Sequence, residues 1–74
     1  MTLVELGMGR AARIVRTNGV DEVSIRLLEM GLTPGAEITL LGVAPLGDPL
    51  ELEIRGYRLS LRRSEAARIE IAPV

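Results

Sequence analysis

The sequence predicts a small, mainly β domain: about five short strands with one main helix, curled into a barrel. Three observations carry this. Apolar and polar residues alternate in several short runs, the period of a strand with one buried face. Only one stretch, Glu22 to Met30, spaces its apolar residues three or four apart as a helix does. With 74 residues there is room for a single domain, residues 1–74, and so many short strands best remove their edges by closing or nearly closing on themselves.

The first element is a short turn. Thr2-Leu3-Val4-Glu5 has the form of a capping box, in which the Thr2 hydroxyl meets the Glu5 amide and the Glu5 carboxylate reaches back. Gly7 and Gly9 stop it from growing, which leaves Leu3 and Leu6 on one side to pack on the domain. Ala11 to Thr17 reads as the first strand, with Ala12 and Ile14 inward and Arg13 outward. Asn18-Gly19 ends it. Asp21 is the candidate helix N-cap, and Glu22 suits the positive end of a helix. Val23, Leu27 and Met30 then share one stripe, widened by Leu28, with Arg26 and Glu29 toward water. Gly31 takes the position after the helix where a left-handed φ is needed. Leu32 follows and closes on Leu27, the apolar contact of a Schellman ending. Thr33-Pro34-Gly35-Ala36 fits a type II turn.

Strand signals dominate from there. Ile38 and Leu40 alternate with Glu37 and Thr39, and Gly42 marks a bulge or a bend. Leu50, Leu52 and Ile54 alternate with Glu51, Glu53 and Arg55. Gly56-Tyr57 is expected as a two-residue hairpin turn, and the return strand puts Leu59 and Leu61 inward and Arg58, Ser60 and Arg62 outward. That turn pairs Ile54 with Leu59, Leu52 with Leu61 and Glu51 with Arg62. It sets Arg55 against Arg58, a like-charge pair that an anion or an acidic partner would relieve. Ser64 is expected to cap a short turn through Glu65-Ala66-Ala67, and Arg68 to Ala72 is the last strand. This arrangement fits an SH3-like barrel best.

Composition removes most chemistry. The chain has no His and no Cys, which eliminates the usual nucleophile–base pairs, tetrahedral zinc sites and disulfides. Carboxylates remain for a hard cation, but Glu51, Glu53 and Glu70 read as a solvated outer face. No catalytic, metal or cofactor residue is expected, and the chain is not expected to be an enzyme. Tyr57 is the only aromatic residue, the net charge is −1, and no glycine-rich loop leads into a helix. Nucleic-acid binding and an aromatic peptide groove are therefore disfavoured. No apolar run reaches the ~18 residues of a membrane span, and no signal peptide is seen, so a cytoplasmic location without membrane insertion is expected. The charge is nonetheless uneven. Residues 1–54 carry four arginines against eight acidic residues, whereas residues 55–74 carry five arginines against two.

What remains is an interaction module, and one segment suits it. Ala44-Pro45-Leu46-Gly47-Asp48-Pro49 lies between two apolar runs, and its prolines exclude it from a central strand. It is a stiff loop with Leu46 at or near its tip. The leucine either tucks in to close the core or stands out as an apolar knob for a partner. The expected partner-binding set is Ala44, Pro45, Leu46, Gly47, Asp48 and Pro49 together with Arg55, Tyr57, Arg58 and Arg62.

Three ordered segments resemble the FeoA family of bacterial ferrous iron transport: Arg26-Leu27-Leu28-Glu29-Met30-Gly31-Leu32-Thr33-Pro34-Gly35, Ala44 to Pro49, and Arg55 to Ala66. The opening Leu3-Val4-Glu5-Leu6 followed by Gly9 matches the family's start. The resemblance implies an SH3-like barrel and a non-enzymatic accessory role beside FeoB, the membrane transporter with a cytosolic GTPase domain. The family is loosely associated with transition-metal binding, for which this chain carries no His or Cys. The fold also resembles the C-terminal domain of DtxR-type repressors. Two alternative functions follow: a metal-responsive protein in which carboxylates of two molecules share an iron, and a self-associating module.

Overall fold

Alternation along the strands becomes one aliphatic core of 16 buried side chains, from Leu3 and Leu6 at the start to Ile69 and Ile71 at the end. The computed structural model describes residues 1–74. After a 3-10 turn at Leu3–Glu5 come β1 (Ala11–Thr17), α1 (Glu22–Glu29), β2 (Glu37–Val43), β3 (Leu50–Ile54), β4 (Tyr57–Leu61), α2 (Arg63–Ala66) and β5 (Ile69–Pro73). The strands form one antiparallel sheet in the order β4-β3-β2-β1-β5. The sheet curls without closing. Its two edges are β4 and β5, joined through α2, and the N-terminal turn lies along β5 and packs on α2. No helix is long and apolar enough to cross a membrane.

Two bulges drive the curl. Val15 has no partner between the Ile14–Ile71 and Arg16–Glu70 pairs, and Leu41 none between Leu40–Leu52 and Gly42–Glu51. An extra residue on one strand raises the local twist, which a sheet of this size needs to wrap a core. The predicted break at Gly42 is therefore real, with Leu41 as the inserted residue.

The helix forms as its caps dictate. The Asp21 carboxylate accepts the Ser24 amide at 3.2 Å and the Arg68 guanidinium at 2.6 Å, and the Ser24 hydroxyl donates to the Asp21 carbonyl at 2.8 Å. At the other end Gly31 adopts φ 98°. The Leu32 amide returns to the Leu27 carbonyl at 3.1 Å and the Gly31 amide to Leu28 at 3.0 Å, the two bonds of the Schellman motif. Leu27 and Leu32 are both fully buried. The type II turn is present too, with the Ala36 amide on the Thr33 carbonyl at 3.1 Å and Gly35 at φ 89°.

Four expectations need correction. Leu28 does not widen the buried stripe: it is 40% exposed, and Ser24, hydrogen-bonded to Asp21, is buried in its place. Only half of the N-terminal capping box forms. The Glu5 carboxylate accepts the Thr2 amide at 2.6 Å, which holds its pKa below the ordinary value, but the Glu5 amide goes to the Thr2 carbonyl rather than to the hydroxyl. α2 starts earlier than expected: Arg62, not Ser64, is its N-cap, and the Glu65 carboxylate accepts the Arg62 amide at 2.9 Å.

The hairpin turn is the fourth. It is Arg55-Gly56, at φ 51° and 84°, the two left-handed residues of a type I′ turn. Ile54 pairs with Tyr57, Leu52 with Leu59, Leu50 with Leu61, Glu51 with Ser60 and Glu53 with Arg58. Moving a two-residue turn by one position shifts every pair by two residues, so the inward faces survive while the outer pairs change. Arg58 faces Glu53 instead of Arg55, and the Ser60 hydroxyl donates to Glu51 at 2.8 Å.

Two outcomes follow. The hydrogen bond from Arg68 holds the Asp21 pKa down to about 2 from its ordinary 3.8, and Asp21 in turn raises that of Arg68. A carboxylate depressed in the folded state stabilises above its unfolded pKa. Urea titrations are expected to show this contribution intact above about pH 4 and lost as the pH falls toward 2, with the loss blunted in Asp21→Asn. At Gly31, an added Cβ would sit 2.8 Å from the Tyr57 hydroxyl. Gly31→Ala is expected to destabilise by about 1–2 kcal/mol or more from the left-handed φ and this contact, and by less in a Tyr57→Phe background.

Candidate functional site

The 44–49 loop is short, closed and pinned. The Ala44 amide donates to the Pro49 carbonyl at 3.0 Å across its base, and the Gly47 amide to the Ala44 carbonyl at 2.9 Å around a 3-10 turn at Pro45–Gly47. A second clamp comes from α2. The Asp48 carboxylate accepts the Arg63 amide at 3.0 Å, and the Arg63 guanidinium reaches the Gly47 carbonyl at 3.4 Å. Asp48 thus satisfies one of the unpaired N–H groups at the start of α2, work a local N-cap side chain would do elsewhere.

Leu46 does not tuck into the core: the residue is fully exposed. Its backbone is also unusual, at φ 72° and ψ 9°, the left-handed region that favours glycine and is an outlier for a bulky residue. Such a conformation costs on the order of 1–2 kcal/mol. Nothing inside the chain offsets it through burial of the leucine.

The basic residues divide. Tyr57 donates from its hydroxyl to the Met30 carbonyl at the end of α1, and Arg55 donates to the Thr33 hydroxyl at 3.3 Å. Both are tied to the α1–β2 connection, a function the sequence reading did not assign them. Arg58 lies exposed on the outer face opposite Glu53, with no ion pair. Arg62 lines an open groove of about 710 Å³ with Asp48, Pro49, Ser60, Leu61, Glu65, Arg26 and Met30. Arg26 and Glu65 form an ion pair within this lining. Of the expected set, the structure brings Asp48, Pro49 and Arg62 together, and Leu46 stands beyond them on the same loop. Arg26, Met30 and Glu65 in the groove and Arg63 in the clamp carry no local sequence signal for this site. Arg26 and Glu65 are 39 positions apart, and no local pattern joins them.

No group of three His, Cys, Asp or Glu side chains converges in the fold. Glu51 is occupied by Ser60, and Glu53 stands across from Arg58.

The FeoA domain matches residues 1–73. The chain belongs to the FeoA family. Over 71 residues it is 46% identical to the Fe(2+) transport protein A/Fe(2+) transporter FeoB fusion protein of Porphyromonas gingivalis, a match that covers 96% of this chain and 8% of that protein. Iron(II) transport protein A of Clostridium thermocellum, solved in solution, is 42% identical, with a TM-score of 0.94 over 100% of this chain and 46% of that one. The crystal structure of Stenotrophomonas maltophilia FeoA complexed with zinc, a prokaryotic SH3-domain protein, is 32% identical, with a TM-score of 0.85 over 97% of this chain and 89% of that one. The FeoA-family chain thus has the expected SH3-like fold, and it spans less than half the length of the first two relatives. A manganese-dependent transcriptional repressor shares the fold alone, at 14% identity and a TM-score of 0.91 over 100% of this chain and 36% of the repressor.

Asp48→Ala is expected to destabilise the FeoA-family domain by about 1 kcal/mol through loss of the α2 cap, and to loosen the loop. Urea denaturation and backbone ¹⁵N relaxation at Leu46 and Gly47 check the two effects separately.

Proposed function

We propose that this chain is a non-enzymatic accessory module of ferrous iron transport that docks in the cytosol on the GTPase-bearing region of an FeoB-type transporter. The single observation that carries the docking reading is Leu46, fully exposed at positive φ on a loop clamped from both sides. A preformed apolar anchor loses little entropy when it enters a pocket, so a few residues can carry such an interface. The partner follows from the P. gingivalis relative, in which transport protein A and transporter FeoB are fused. Fusion holds two domains at high effective concentration, which is useful where they act on one another. Composition supports the non-enzymatic part, because the groove offers arginines and carboxylates but no His or Cys.

In this reading Leu46 inserts into a pocket of the transporter's cytosolic region, flanked by Ala44, Pro45, Gly47, Asp48 and Pro49. Arg55, Arg58 and Arg62 meet acidic groups there and set orientation and association rate.

The test is a binding titration against the transporter's cytosolic region with Leu46→Asn and Leu46→Asp. Asparagine tolerates the left-handed region, so Leu46→Asn is expected to keep or slightly raise stability. Removing a buried leucine side chain, worth about 1.5–3 kcal/mol, is expected to weaken binding by about tenfold or more. A folded Leu46→Asp variant that binds undiminished removes the anchor role.

A further inference from the structure

Of the two sheet edges, only β4 is open. Along β5 the Ile71 amide donates to the Met1 carbonyl at 2.8 Å, and Thr2 bridges Glu70. On β4 the type I′ turn makes Tyr57, Leu59 and Leu61 the residues that bond β3. The amide and carbonyl groups of Arg58 and Ser60 therefore point away from the sheet, and no hydrogen bond outside the β3 ladder engages them. α1 flanks this edge. Tyr57 is bonded to the Met30 carbonyl, and Arg26, about one turn earlier, pairs with Glu65 just beyond the strand. Met30, Leu61 and Pro49 supply the apolar lining of the groove, with Ser60 and Arg62 from the strand side.

We propose that the open edge of β4 takes an extended acidic segment of a partner protein as a sixth, hydrogen-bonded strand. The main chain supplies the contact: two amides and two carbonyls, on Arg58 and Ser60, aimed at the incoming strand. The charge supplies the choice. From Arg55 through Ser64 the chain holds four arginines and no acidic residue. Arg58 and Arg62 are exposed, and neither is in an ion pair. Acidic side chains alternating along an added strand fall on the same face as these guanidiniums. The same arginines reject a second copy of the chain, because antiparallel self-pairing centred on Ser60 sets Arg58 of one molecule against Arg62 of the other.

The inference rests on the docking reading only for the source of the acidic segment. The experiment uses the full ¹⁵N-labelled chain and two blocked peptides, acetyl-Glu-Val-Glu-Val-Glu-amide and its counterpart with lysine for each glutamate. The glutamate peptide is expected to shift the Arg58 and Ser60 amide resonances and to slow their hydrogen exchange, and the lysine peptide to do neither. Arg58→Glu is expected to weaken the glutamate peptide by about fivefold or more. Leu46→Asn is expected to leave the peptide response unchanged, so a failed peptide titration beside an intact transporter interaction overturns the edge alone. Shifts confined to the 44–49 loop, an equal response to both peptides, or unprotected Arg58 and Ser60 amides would each overturn it.

Discussion

The hydrogen bond from the Tyr57 hydroxyl to the Met30 carbonyl joins the helix to the hairpin, and the shape of the candidate surface depends on it. A helix ends with carbonyls that have no partner within it, and here Gly31 turns the chain while the only aromatic residue meets one of them. Tyr57 can reach because the turn closes one residue earlier than the sequence suggests. It becomes the first residue of β4, paired with Ile54, instead of part of the loop. Once α1 is held beside β4 at Met30, Arg26 lies where it can meet Glu65, and the groove between helix and strand is defined at both ends. A sheet with two edges needs such a cross-tie, since no ladder joins β4 to β5.

Much of this architecture is legible where a local rule has one solution. The bounds of β1 follow from alternation between Gly9 and Gly19, and the Asp21 cap and Gly31 stop define α1 because few residue types serve there. The hairpin turn is ambiguous in sequence, since Arg55-Gly56 and Gly56-Tyr57 each contain the required glycine. The pairs decide it. Glu53 against Arg58 and Glu51 against Ser60 suit the outer face better than Arg55 against Arg58. Leu28 lies outside the core because Ser24, satisfied by Asp21, can occupy the inner side of the first turn, a trade that periodicity alone does not reveal. The candidate site is legible only in part. The loop and its arginines were visible as residue types, but the clamp between Asp48 and Arg63 joins residues 15 apart through a backbone amide, which leaves no pattern to read.

Exposure alone would make Leu46 unremarkable, for single surface leucines are ordinary. Its backbone changes the weight of the observation. A domain of this size has a narrow margin, with folded states in general only about 5–15 kcal/mol below the unfolded ensemble. A left-handed leucine spends on the order of a tenth of that with no burial in return. The clamps at Ala44–Pro49 and Asp48–Arg63 hold it there. Strain kept in place by surrounding structure clusters at active sites, ligand clamps and switch regions.

The two kinds of contact this surface offers obey different physics. An apolar tip held in a pocket acts on the dissociation rate and is nearly indifferent to salt. Arg58 and Arg62 act through a field that reaches only about 8 Å at physiological ionic strength, and so mainly on association rate and orientation. The rest of the chain is net acidic, which confines attraction for an acidic partner to the stretch from Arg55 to Arg63. That confinement gives a small, nearly neutral domain a direction of approach. On the edge-pairing proposal, a strand-forming segment drawn to the arginines would arrive beside the unengaged Arg58 and Ser60 amides of β4, and on the docking proposal the leucine on its clamped loop would be free for a second contact with the same partner.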